Sequence, residues 1–225
     1  MEASKVVIPI FGLLDVTGEV IAEWIILIGL LVFSLIASRN LKERPGKLQN
    51  VVETGIECLD NFLAGILGKR LAGKYFYFLG SLFIFIIVAN YSGLIPGVGL
   101  TDYVKAPTSS LSVTAGLGIT SFIFLQIAGM RAGIKNYFKR FISPMVFMLP
   151  LLILDEIIKP VSLSLRLFGN VFGEEMVTEQ LYEILPIGAP LLMMVLSLLF
   201  CAIQAIVFTM LVSIYLSEML ETEEE

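Results

Sequence analysis

Long apolar blocks, separated by short charged or Pro/Gly-containing segments, dominate the chain. The first, from about Val20 to Ser38, has the length a helix rising about 1.5 Å per residue needs to cross a hydrocarbon core of about 30 Å, and RNLKERPGK ends it. Residues 48–69, LQNVVETGIECLDNFLAGILGK, interleave apolar positions with Glu53, Glu57 and Asp60 and predict an amphipathic helix lying at the membrane surface. A second crossing is expected over 75–95, closed by Pro96 and Gly97, and a third over 111–131, followed by the basic stretch RAGIKNYFKR. Two longer helical segments, 145–182 and 188–220, are separated by a short Pro- and Gly-containing turn. A straight helix over 145–182 would extend about 57 Å, so it must tilt, lie near the membrane plane, or bend at Pro150 or Pro160. A steeply tilted helical hairpin is expected.

Composition sharpens this reading. The chain has 225 residues, 57% hydrophobic and only 16% charged, with a mean hydropathy of +0.90, more apolar surface than a soluble domain of this length buries. Long blocks rather than alternating ten-residue segments exclude an outer-membrane barrel. The expected fold is an all-α integral membrane protein, a single membrane domain of about five traversing helices plus one amphipathic surface helix. Residues 1–19 carry no charged n-region followed by an apolar stretch and cleavage site, and are expected as a retained external segment. No internal repeat is visible, unlike many secondary transporters.

Basic residues set the orientation. The loops 39–47, 69–74 and 131–140 hold 4, 3 and 4 of the 15 Lys and Arg residues, whereas the opposite side holds only Lys5 and Lys105. The basic loops are expected to face the cytoplasm, with the N-terminus outside and the acidic end ETEEE inside. Lys159 and Arg166 are the two basic residues left at membrane depth. There is no histidine, so any proton relay must run through carboxylates. Cys58 and Cys201 lie far apart without metal-ligand spacing, and both are expected to be buried as small hydrophobes.

With about 100° per residue, Asp155, Lys159, Ser162, Arg166, Asn170 and Gly173 fall within roughly 40° of one line along the tilted helix. Glu174 and Glu175 project about 80° and 180° from Arg166. Arg166 lies near the middle of its helix, and no acid occupies i±3 or i±4, where Ser162, Leu163, Gly169 and Asn170 stand. A snorkelling arginine sits closer to a helix end, so the partner of this charge is expected elsewhere, on another subunit. Asp155 and Lys159 form an i, i+4 acid–base pair and read as structural. Adjacent carboxylates at depth, Glu174 and Glu175, imply water access or protonation. On the last helix Ser197, Gln204, Tyr215 and Glu218 lie within about 30° of a common line, a pattern that by itself reads as helix packing. Asn90, Ser92, Asp102, Ser109, Ser110 and Gln126 are polar positions available to an outer-side path.

The stretch PVSLSLRLFGNVFGEE, residues 160–175, closely resembles the signature of subunit a of F-type ATP synthases. QAIVFTMLVSIYLSE, residues 204–218, and NYSGLIPG, residues 90–97, resemble further motifs of that family. The resemblance implies a stator that holds a rotating ring of carboxylate-bearing subunits and supplies two offset aqueous half-channels. It implies that Arg166 is the essential arginine facing the subunit c ring, that Asn170 and Gln204 flank it, and that Glu175 belongs to a half-channel with Tyr215. Some relatives have Gly at the position of Glu174 and a histidine at that of Ser197, so Glu174 beside Glu175 is expected to take over that relay. Asn90, Asp155, Lys159 and Glu218 are weaker candidates. The implied partners are the c ring, the peripheral-stalk subunit b, the rest of the complex, membrane lipid and the translocated H⁺ or Na⁺, with no nucleic acid. The implied location is a bacterial plasma membrane. No catalytic residue, metal or cofactor is expected, and no GxxxxGK[ST] loop occurs. Two other readings fit an intramembrane arginine: a self-contained proton-coupled transporter with an arginine substrate site, and a structural anchor with buried ion pairs.

Overall fold

The structure, a computed structural model, describes residues 6–10, 14–39, 46–94, 107–133, 149–184 and 188–221. Asp102, the segments 40–45 and 134–148, and the acidic end 222–225 lie outside these residues. Two short strands, β1 (Val6–Ile10) and β2 (Leu14–Thr17), pair antiparallel with Ile8 opposite Val16 and Ile10 opposite Leu14. The apolar pattern of the first residues did not announce this hairpin. Among the described residues five helices follow: α1 (Gly18–Arg39), α2 (Lys47–Ser92), α3 (Leu111–Ala132), α4 (Leu149–Ile184) and α5 (Gly188–Glu221), with a 3-10 turn, Pro107–Ser109, before α3. The protein is an all-α integral membrane protein apart from that short hairpin.

Among the described residues four helices, α1, α2, α3 and α5, contain stretches long and apolar enough to cross a membrane. Helix α4 is long but less apolar, because it carries Asp155, Glu156, Lys159, Arg166, Glu174 and Glu175. It runs unbroken through Pro160, whose ring removes one helical N–H donor. The Pro160 carbonyl instead accepts a hydrogen bond from the Ser164 hydroxyl at 2.8 Å.

Helix α2 joins the amphipathic segment to the following crossing without a loop. Its backbone leaves helical geometry only at Gly68 (φ 77, ψ 153), a conformation open essentially to glycine. The basic residues at 69–74, which the sequence reads as a loop, are helical. Before the break Leu59, Leu63 and Leu67 recur every four residues and are buried, while Glu53, Glu57 and Asp60 are exposed on other faces. Cys58, adjacent to Leu59 but rotated about 100° away, is exposed rather than buried. Cys201 is buried, as expected.

After Gly68, Leu79, Leu82, Ile86 and Ala89 form the buried stripe that meets Ala205, Phe208, Val212 and Leu216 of α5. Helix α3 packs chiefly on α4, and its Phe124 stacks on Phe78 of α2 with ring centroids 3.6 Å apart. Among the described residues α1 remains at the periphery; only 6% of its apolar window is buried.

The α3–α4 contact depends on a close approach at Gly118, where a Cβ would overlap the Ser164 hydroxyl and come within 2.8 Å of the Pro160 carbonyl oxygen. Gly118→Ala is therefore expected to push α3 off α4 and to destabilise the subunit by about 1–3 kcal/mol. A lowered thermal unfolding midpoint of the detergent-solubilised protein would register this; an unchanged midpoint would contradict such tight packing.

Candidate functional site

Helices α4 and α5 bring the sequence-predicted polar residues into three groups along their length. In the middle stands Arg166. It is exposed, and no hydrogen bond or ion pair reaches it from the described residues. Its helix neighbours Leu165 and Val161 are also exposed, at 52% and 50%, so the charge rises from an apolar outer face. One turn on, the Asn170 amide donates to the Gln204 side-chain carbonyl at 2.6 Å, joining α4 to α5. Gln204 is buried and its own Nε2 has no hydrogen-bond partner among the described residues.

Towards the end of α4, Glu174 lies beside Ser197 of α5 and within electrostatic reach of Cys201. Ser197 is buried, whereas Glu174 and Glu175 are half-buried. Glu175, one residue on, is rotated about 100° from Glu174, so the two carboxylates look into different surroundings. The end of α2 adjoins this level, because the Tyr91 hydroxyl donates to the Leu198 carbonyl at 3.1 Å. Neighbouring Asn90 is 2% exposed, and neither polar atom of its amide has a partner among the described residues. Thr108, in the 3-10 turn that adjoins α2, has a fully buried hydroxyl in the same condition.

Towards the start of α4 a third group surrounds Lys159. Its buried ammonium lies 3.1 Å from Glu218, 3.3 Å from Glu156 and 3.7 Å from Asp155, and 5.0 Å from the centroid of the Tyr215 ring. Glu156 also accepts a hydrogen bond from Gln126 of α3 at 3.1 Å. The Asp155–Lys159 pair is thus the most solvated and longest edge of a larger cluster. Tyr215 belongs to this group and is remote along α5 from Ser197, by 18 residues or about 27 Å.

The single polar stripe read from the sequence therefore divides. Arg166, Asn170 and Asp155 are exposed on one side of α4, whereas Lys159, near the same angular position, is covered by α5. Glu156 was missed because it lies about 100° off the stripe from Asp155, yet its spacing of three residues from Lys159 was a usable signal. Gln126 joins Glu156 instead of the group near Asn90. Ser92 donates to the Ala89 carbonyl at 2.7 Å, and Ser110 starts α3 by accepting from the Thr114 amide at 3.2 Å, so both serve the backbone.

The family profile described as ATP synthase A chain matches residues 20–217. ATP synthase subunit a of Moorella thermoacetica is 41% identical over 207 residues, covering 92% of this chain and 92% of its own. The chloroplastic ATP synthase subunit a of Oedogonium cardiacum is 36% identical over 209 residues, covering 91% of this chain and 83% of its own. That of Stigeoclonium helveticum is 35% identical over 212 residues, with 92% and 86% covered. A match this long, running from α1 to the last turn of α5, leaves one assignment: the chain belongs to the ATP synthase subunit a family.

Proposed function

We propose that this membrane subunit of ATP synthase is the stator through which H⁺ or Na⁺ reaches and leaves a rotating ring of carboxylate-bearing c subunits. The observation that carries the reading is Arg166, an exposed mid-helix cation on an apolar face with no acid of the described chain to pair with. A charge left so in a low-dielectric setting is costly, and an arriving carboxylate from a neighbouring subunit removes that cost. Arginine keeps its proton, since its pKa exceeds about 12, so it can attract each ring carboxylate and drive off its bound ion without donating a proton itself. The same charge repels a cation passing directly between the two sides.

Ions must then travel on the ring between two offset half-channels. On one side Glu174, beside Ser197, and Glu175 serve as carrier and acceptor groups. The buried amide of Asn90 and the Thr108 hydroxyl, polar atoms without protein partners among the described residues, favour a hydrated path there. On the other side the exposed Asp155 marks the exit. Asn170 and Gln204, bonded to each other, fix the hairpin beside Arg166. Each charge crossing 100 mV releases about 2.3 kcal/mol, so several steps must be summed mechanically before one nucleotide is made. The basic-loop pattern supports a bacterial plasma-membrane orientation with the N-terminus outside and the C-terminus cytoplasmic. Subunit b holds the stator against the torque.

Purification in mild detergent through an affinity tag on this chain tests the reading. The chain is expected to bring with it a ring of small apolar subunits and the remaining complex. A chain that travels alone and carries out solute uptake in liposomes would instead be a transporter.

A further inference from the structure

Lys159 is the point at which three carboxylates of the α4–α5 hairpin converge: Asp155 at 3.7 Å, Glu156 at 3.3 Å and Glu218 at 3.1 Å. One ammonium with three N–H donors serves all three acids, and Tyr215 lies 5.0 Å from it on a further side. Lys159 precedes Arg166 by two helical turns, about 10 Å along the axis and about 20° around it. The two cations share a face of α4 but differ in commitment. Lys159 is 6% exposed and fully engaged, while Arg166 is exposed and meets no acid among the described residues.

Arginine is the stronger partner for a carboxylate, because its planar fork can bind both oxygens at once. Attraction between full charges falls off slowly where the dielectric is low, so uncompensated carboxylates even two to three turns away would draw on the field of Arg166 unless a nearer cation neutralised them. A lysine suits that task, since its compact ammonium can address three separate carboxylates from one point.

We propose that Lys159 is a positioning residue for the gate: by holding Asp155, Glu156 and Glu218 it keeps the guanidinium of Arg166 available to a carboxylate from outside the chain. This rests on the reading of Arg166 as the gate. It assigns the cluster a duty beyond riveting α4 to α5, and the two duties respond oppositely to removal of the acids. A rivet weakens further as more of its members are lost. A restraint on competing carboxylates becomes unnecessary once they are neutral.

The test uses the whole ATP synthase in inverted membrane vesicles, with ATP-driven ion pumping measured per assembled complex. Lys159→Gln is expected to lower pumping about tenfold without lowering the amount of complex, and adding Glu156→Gln and Glu218→Gln to it is expected to restore pumping to within about threefold of wild type. Wild-type pumping by Lys159→Gln overturns the proposal, and so does a triple variant that pumps no better than the single one. Should Lys159→Gln fail to assemble, the triple variant decides alone: assembly with near-normal pumping supports the proposal, and any other result overturns it. Arg166→Ala, run alongside, separates the two levels of inference. Normal pumping by that variant removes the gate itself, whereas loss of pumping there with an indifferent Lys159 series removes only the positioning role.

Discussion

Replacing Arg166 with alanine is expected to reduce ATP-driven ion pumping at least about a hundredfold, while the complex still assembles. Pairing of a charge in a poorly hydrated setting is worth about 3–5 kcal/mol to its partner, and each 1.36 kcal/mol is about tenfold in rate. The same variant, stripped of the soluble head, should leak ions as fast as wild type or faster, because the barrier between the two half-channels has lost its charge. Arg166→Lys should not restore coupling: a lysine deprived of water can give up its proton, and its single ammonium lacks the guanidinium's fork. The exposure of Arg166 makes the outcome informative, since truncating a side chain that touches no acid of the described chain removes little packing. Surviving coupled pumping, or a complex that fails to assemble, would make Arg166 a structural charge.

The second large effect concerns Glu174 and Ser197. Glu174→Gln keeps the helix and removes the ionisable group; a hydrogen bond involving a charged partner is worth about 1.5–3 kcal/mol, so pumping should fall roughly tenfold to a hundredfold. The two side chains meet across α4 and α5, which makes the function of the pair exchangeable between its members. Glu174→Gly combined with Ser197→His moves the titratable group from one helix to the other. That double variant is expected to recover pumping to within about threefold of wild type, despite about 1 kcal/mol lost by placing glycine inside a helix. Measurement of ion uptake by inverted vesicles, with a ΔpH-sensitive dye or with sodium, checks both steps. Equal pumping by wild type and Glu174→Gln would remove Glu174 from the path.

Hydropathy made the helices legible, because twenty or more apolar residues with few charges have few alternatives in water or lipid. It was less informative where a helix is long and partly polar. The basic residues 69–74 read as a loop, yet they continue α2, and the interruption falls on Gly68, whose positive φ leaves no mark in a hydropathy profile. Arg166 was legible from its lack of acids at i±3 and i±4. Its neighbours' fates were not, because helical angle alone cannot say where α5 crosses α4 and covers Lys159 while leaving Arg166 open. The link from Lys159 to Glu218 spans 59 residues, and no local spacing rule reaches that far. The Asn170–Gln204 bond joins residues 34 apart; family resemblance named the two only as flanking Arg166, and although both lay on polar stripes nothing in the sequence paired them.

Helix α1, with so little of its apolar window buried, has a consequence for how the protein is handled. Its outward side chains include Trp24, Ile25, Leu31 and Ile36, each more than 60% exposed within the chain. Its place is thus fixed by the solvent around it more than by the rest of the fold, where among the described residues Ile26 and Leu30 reach the core. In a bilayer it is held by partition. In a detergent whose micelle is thinner than the hydrocarbon core it has little left to hold it, so extraction conditions decide whether the first helix stays beside the bundle or swings away, before any buried contact of α2 to α5 is disturbed.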